Sequence, residues 1–174
     1  MPSMPISAAF LLVGKGDNGK TVFLNTLREL IGEEHAKDED LQQLEHTRFA
    51  TSSLYRKLLV VSDDMPSTAL ETGGTLKGIT GGGQVRAEFK GGDHFEFKNY
   101  ATPVFACNDV PETEDQSDGF FRRWTILDFP YKFTENPEKQ LEKQKKSEFQ
   151  LKKDLFDEEQ QEAYAYQAIQ ALQD

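Results

Sequence analysis

At 174 residues, 37% of them hydrophobic and 29% charged, the chain has room for one domain and little more, and no apolar run approaches the ~18 residues that span a bilayer. A single cysteine, Cys107, and three histidines, His35, His46 and His94, exclude a disulfide scaffold and a structural zinc cluster. Twenty Lys and Arg against thirty Asp and Glu give a net charge of −10; this argues against a basic face laid along duplex DNA, though not against a local nucleic-acid contact inside a ring or channel.

The first six residues carry neither the basic stretch nor the apolar core of a signal peptide, so a cytoplasmic protein is expected. Residues 8–14 (AAFLLVG) read as a buried strand ending at Gly14. Residues 20–32 (KTVFLNTLRELIG) follow as a helix, with Val22, Phe23, Leu27, Leu30 and Ile31 as its apolar stripe and Gly32 as its stop. Residues 33–47 are polar and acidic, with a short helix in DEDLQQLEH; residues 48–57 are a loop or a second short helix. Residues 58–64 (LLVVSDD) are a second buried strand that ends on two acids. A helix over 67–80 is weakened by Gly73 and Gly74. Residues 85–97 alternate around Gly91-Gly92 and predict a β-hairpin. TPVFACN (102–108) and FRRWTILDFPYKF (121–133) supply two further buried strands. From Thr134 the composition turns charged, which divides the chain into a core, 1–133, and a charged helical extension, 134–174. In that extension 134–153 read as a solvated helix or linker, while Tyr166, Ile169 and Leu172 give the terminal helix a face suited to docking.

GKGDNGKT (14–21) fits G-x-x-x-x-G-K-[ST] without a gap. Gly14, Gly16 and Gly19 let the loop wrap, so that the backbone N–H groups of Gly14, Lys15, Gly16, Asp17, Asn18 and Gly19 can face phosphate oxygens. Lys20 brings a cation to the β- and γ-phosphates of ATP, Thr21 offers a hydroxyl to Mg²⁺, and the following helix adds its positive end. The plainer alternative is a glycine-rich turn with a surface lysine; a buried strand before the loop and an amphipathic helix after it favour phosphate binding. Asp63 and Asp64 follow the second strand. Asp63 is assigned to the metal and Asp64 to the attacking water, against the alternative of an ordinary acidic turn. Loop and aspartates are expected to come from neighbouring strands and to close on one triphosphate–magnesium complex.

GKGDNGKT, VVSDDMP, LKGITGGGQ, PVFACNDVP and FFRRWTILDFP, in that order, resemble the motifs of superfamily 3 helicases, most closely the helicase part of phage and plasmid primase–helicases. The resemblance spans about residues 8–133. It implies an α/β, three-layer P-loop NTPase of the AAA+-like type, with a mostly parallel central sheet and an inserted β-hairpin. It implies an ATP- and Mg²⁺-dependent helicase motor of virus or plasmid DNA replication, working on single-stranded DNA as a homo-hexamer and beside a primase domain or partner. By position, Asn108 matches the polar sensor of that family. Arg122 or Arg123 matches its trans-acting arginine, with Arg122 preferred. The hairpin matches its central-channel element, placing Lys90 and His94 at DNA; Lys77 lies just before it and can contact nucleotide or DNA. Family members carry a helical oligomerisation element ahead of the first strand. This chain starts almost at that strand, so a fragment, a truncated frame or a minimal version is expected. A truncated ATP-binding remnant or regulatory subunit and a small-molecule P-loop kinase are the alternatives.

Other residues read as structural. Cys107 is a buried small hydrophobe and Trp124 a core residue. Phe89, Phe95 and Phe97 read as core before base platforms. His35 and His46 are solvated, and EKQKK (142–146) is a solvated helix face.

Overall fold

The computed structural model describes residues 7–47, 49–66 and 73–171. Five strands make the central sheet: β1 (Ala9–Val13), β2 (Ala36–Asp38), β3 (Leu59–Ser62), β6 (Thr102–Cys107) and β7 (Trp124–Asp128), in the order β2-β3-β6-β1-β7. Every adjacent pair is parallel, so all C-terminal strand ends share one edge. Parallel strands need crossovers that cover both faces. Helix α1 (Lys20–Ile31) covers one face; α2 (Leu41–His46), α3 (Gly74–Thr80) and α4 (Asp118–Phe121) lie on the other.

Two apolar clusters follow from strand alternation. On the α1 side Leu12, Leu59, Val61, Val104 and Ala106 meet Leu24, with Leu27 and Ile31 at the margin. On the far side Leu11, Val60, Phe105 and Cys107 pack with Leu41, Leu76, Ile79 and Phe120. The hairpin, β4 (Gln84–Glu88) with β5 (His94–Lys98), is antiparallel. Its inward residues Val85, Ala87 and Phe97 join the far-side cluster, and its tip turns through Gly91 at φ +78°.

The α/β class and the parallel sheet agree with the sequence expectation, as do the hairpin and the helix after β1. Several details differ. The fifth strand, β2, is absent from the sequence reading because three residues with one apolar side chain carry no period. The stripe of α1 centres on Leu24, while Phe23 is exposed, because the helix sets i, i+4 and i+7 from Lys20 against the sheet. The last core strand is not buried: among the described residues β7 pairs with β1 alone, and Ile126 and Leu127 are exposed. In the tail, β8 (Lys132–Thr134) pairs parallel with β9 (Glu142–Gln144) where a helix or linker is expected, which also displaces the helix face expected at 142–146. Helix α5 (Glu148–Leu155) starts at a capping box of Ser147 and Gln150. Helix α6 (Glu158–Ala171) buries no residue; Tyr166 and Ile169 are 64% and 55% exposed, so the docking face does not meet the described core. Leu172, and residues 67–72 of the helix expected over 67–80, lie outside the described residues.

Leu24 is fully buried between α1 and the sheet. Leu24→Ala is expected to cost about 2–5 kcal/mol of unfolding free energy, and Ile126→Ala on the exposed β7 to stay within about 0.5 kcal/mol, both read by urea denaturation.

Candidate active site

The glycine loop joins β1 to α1 at the C-terminal edge of the sheet. The Gly14 N–H donates to the Cys107 carbonyl at 3.2 Å, fastening the start of the loop to the end of β6. The Asp17 carbonyl accepts from the Phe133 N–H at 2.7 Å, and the Asn18 amide donates to the Phe129 carbonyl at 3.3 Å. The segment leaving β7 therefore straps the loop from one side. A Cβ on Gly14 would sit 2.6 Å from the Phe129 carbonyl oxygen and closer still to Asn18 Nδ2. Gly19 holds φ +87° as α1 begins. Gly16, by contrast, has open space around its Cα, so the fold alone does not require glycine there.

Lys20 is the first residue of α1 and only 7% exposed. Its ammonium donates to the Gly14 carbonyl and, at 3.1 Å, to Asn18 Oδ1. Burial pulls it below the ordinary lysine value, and the charges of Cys107 and Asp64 partly offset that pull. Burial likewise pushes the Cys107 thiol up, in keeping with an inert core cysteine. Lys15 is exposed and faces Asp109 at 3.8 Å.

The loop and the two aspartates do not come from neighbouring strands, since β6 lies between β1 and β3. They still share one edge. Val13 is level with Cys107 and Ser62 with Phe105, and the Met65 N–H continues the ladder to the Ala106 carbonyl at 2.7 Å. Asp64 thus stands at the height where the loop begins. The two acids are placed differently. Asp63 meets the Arg28 guanidinium at 3.1 Å, while Asp64 acts electrostatically on Lys20. Asn108 is exposed just past the end of β6, on this same edge.

Other predicted residues lie elsewhere. Arg122 and Arg123 precede β7, at the opposite edge of the sheet, where the Ala9 N–H donates to the Arg123 carbonyl at 2.6 Å. Arg123 Nη1 donates to Thr80 Oγ1 at 3.0 Å, whereas Arg122 is exposed. Lys77 does not point at the glycine loop: its ammonium donates to Asp115 at 2.6 Å and to Ser117 at 3.0 Å. Lys90 is exposed at the hairpin tip, and His94 Nδ1 lies 3.2 Å from Glu88. Phe97 is core, but Phe89 is half exposed and stacks on Phe95 with centroids 4.7 Å apart. Tyr55 meets Phe95 and Phe97 edge-on.

A desolvated ammonium beside a glycine loop and the N-terminus of a twelve-residue helix make an edge suited to a phosphate-sized anion. Thr21, exposed at the second position of α1, and Asp64 are hard oxygen donors of the kind that assist Mg²⁺ when phosphates and water supply most of its shell. Among the described residues no group of three or more His, Cys, Asp or Glu could hold a metal ion by itself.

Sequence reasoning missed two features here. Arg28 is one, and its signal is a charge on the stripe of Leu24 and Ile31 where the helical period calls for an apolar side chain. The strap is the other, for which a cluster of aromatics in FPYKF is the only trace.

The chain belongs to the family of unknown function DUF5906, which it matches over residues 12–123. It is 28% identical over 136 residues to a protein of Acanthamoeba polyphaga mimivirus named "Putative helicase L207/L206", a match covering 74% of this chain and 14% of that protein. Its fold resembles apo structures of the NrS-1 C terminal region. One matches with a TM-score of 0.56 at 22% identity, covering 71% of this chain and 28% of that one. A second, of residues 305–718, matches at 0.54 and 23%, with the same coverage. The chain thus spans a small part of each of these proteins. No helix among the described residues is long and apolar enough to cross a membrane.

Gly14→Ala is expected to destabilise by about 1–3 kcal/mol because backbone cannot yield to the added methyl, and Gly16→Ala to stay within about 0.5 kcal/mol, in urea unfolding. Hydrogen bonds from Lys77 and Ser117 hold the Asp115 carboxyl well below its ordinary value of 3.8. The folded state therefore binds fewer protons than the unfolded one. The stability Asp115 contributes is complete above that value and is lost as pH falls below it. In denaturation curves between neutral and acid pH, Asp115→Asn should lower stability at neutral pH and flatten its further loss in acid.

Proposed function

We propose that residues 1–133 form the ATPase core of a DNA helicase of the superfamily 3 type, which hydrolyses ATP to move along single-stranded DNA in virus or plasmid replication, in a cytoplasmic setting. The observation that carries this reading is the buried Lys20 ammonium inside a glycine loop, at one sheet edge with Asp64 and Asn108. The parallel α/β fold and the similarity to a mimivirus protein named as a helicase support it.

In this mechanism the loop N–H groups bind the β- and γ-phosphates. Lys20 exchanges its contacts with Gly14 and Asn18 for phosphate oxygens and opposes the charge that builds as the γ-phosphoryl transfers. Mg²⁺, when bound with the nucleotide, supplies Lewis-acid charge, with Thr21 and the aspartate edge as its protein side. Asn108 orients the γ-phosphate or the attacking water. Arg122 would serve a neighbouring copy. Its own glycine loop lies across the five residues of β1, about 16 Å at ~3.3 Å per residue, so Arg122 would complete the site of another copy; the assembly proposed is a hexameric ring with a primase domain or partner beside it. Lys90 and His94 on the hairpin would contact the strand inside the ring.

ATP turnover measured with and without single-stranded DNA, alongside native mass, tests the reading; an assembled, DNA-stimulated ATPase is expected. Lys20→Ala should lower turnover on the order of 10²–10³-fold, and retained turnover would reject the loop assignment. Arg122→Ala should cut turnover in the assembled form on the order of 10³-fold or more with nucleotide affinity unchanged; the same loss in a proven monomer would reject a trans role.

A further inference from the structure

Arg28 lies on the face of α1 turned to the sheet and is 6% exposed. Its guanidinium donates to three oxygens from three places: Asn25 Oδ1 at 2.7 Å on its own helix, Asp38 at the end of β2, and Asp63 at 3.1 Å just past β3. Its Nε is buried without a hydrogen-bond partner. A buried guanidinium persists only where anions compensate its lost hydration, so Asp38 and Asp63 are committed to it. Burial lowers the basicity of Arg28, but the Asp38 hydrogen bond and both carboxylate charges outweigh that and leave it above the ordinary arginine value.

Only one of the twin acids is taken, because they follow the end of β3 with different neighbours. Leu59 and Val61 belong to the α1-side cluster, and Asp63 lies against Arg28 of α1 at 3.1 Å. Asp64 precedes Met65, whose N–H joins the Ala106 carbonyl, and Lys20 and Cys107 feel its charge. The two adjacent carboxylates thus have different surroundings.

We propose that Arg28 is a positioning residue that anchors Asp63 as a structural anion on the α1 side and leaves Asp64 as the carboxylate of the pair that serves the cation beside bound nucleotide. This rests on the ATPase reading above and reverses the order in which the sequence assigned the two acids. Removing Arg28 would leave Asp38 and Asp63 as close, uncompensated like charges and would free the segment that carries Asp64.

The test is binding of a non-hydrolysable ATP analogue by calorimetry, with and without Mg²⁺, on the whole chain and on D63N, D64N, R28Q and R28K, each checked for its melting temperature. D64N should lose about 10–100-fold of the Mg²⁺-dependent gain in affinity with its melting temperature kept, while D63N should melt lower and keep the gain. R28Q should raise the Mg²⁺ concentration for half-maximal binding about 3-fold or more, and R28K should restore most of it, at a temperature where both remain folded. The gain lost in D63N but kept in D64N overturns the proposal. So does an R28Q variant that melts lower with an unmoved Mg²⁺ midpoint, since that is a purely structural arginine. A wild-type chain that binds no nucleotide at all overturns the ATPase reading itself and this inference with it.

Discussion

The structure is organised around an ammonium that has been taken out of water. Lys20 sits at the first position of α1, with the Gly14 carbonyl and Asn18 Oδ1 as its direct partners among the described residues. Stripping a cation of its hydration costs several kcal/mol, and two neutral oxygens return only part of that. The remainder has to be carried by the geometry around it. Gly14 must lack a side chain so that the loop can close on the lysine. Asn18 must be braced from behind, and the Phe129 carbonyl does this. Gly19 must turn through the left-handed region so that α1 can start where it does. The loop's shape is therefore a consequence of keeping one charge in place, and an arriving anion would relieve the same charge.

That constraint reaches into the sheet. The loop is fastened on one side to β6 through the Cys107 carbonyl and on the other to the segment after β7 through Phe129 and Phe133. Strands β6 and β7 flank β1, so the lysine is held by the two neighbours of the strand that delivers it. Asp64 reaches the same place from one strand further out, past β6, because parallel pairing brings every C-terminal end to one edge. Topology, more than sequence proximity, brings residues near 14, 64 and 108 together.

Much of this was legible in the sequence because the period was strong or the motif contiguous. AAFLLV, LLVV and PVFAC have the length and apolarity of buried strands, and GKGDNGKT needs no tertiary knowledge to be read. The hairpin announced itself by alternation around two glycines. What stayed hidden depends on partners rather than period. Strand β2 is three residues whose only credential is its neighbour β3. The exposure of β7, with β1 its one partner among the described residues, is something no local pattern encodes. Lys77 looks free until Asp115, 38 residues later, is brought against it. Asp63 and Asp64 are chemically identical in sequence; only Arg28, on a different element, separates them.

The same sheet that gathers one group of residues disperses another. Strand direction that puts the glycine loop, Asp64 and Asn108 at one edge puts Arg122 and Arg123 at the other, because they precede β7 rather than follow it. Arg123 is absorbed there by Thr80 and by the backbone pairing of its carbonyl with Ala9. Arg122 caps α4 with its side chain exposed. A cation at one end of the sheet cannot act on an anion at the other within a single copy, since the intervening strand is longer than an arginine side chain. Copies placed head to tail would bring opposite edges together, with the exposed arginine of one against the loop of the next. A heterologous contact of that kind closes into a ring when its rotation closes. On the proposed ATPase reading, the separation of Arg122 from the glycine loop by the length of β1 is the reason a second copy would be needed to bring the two together.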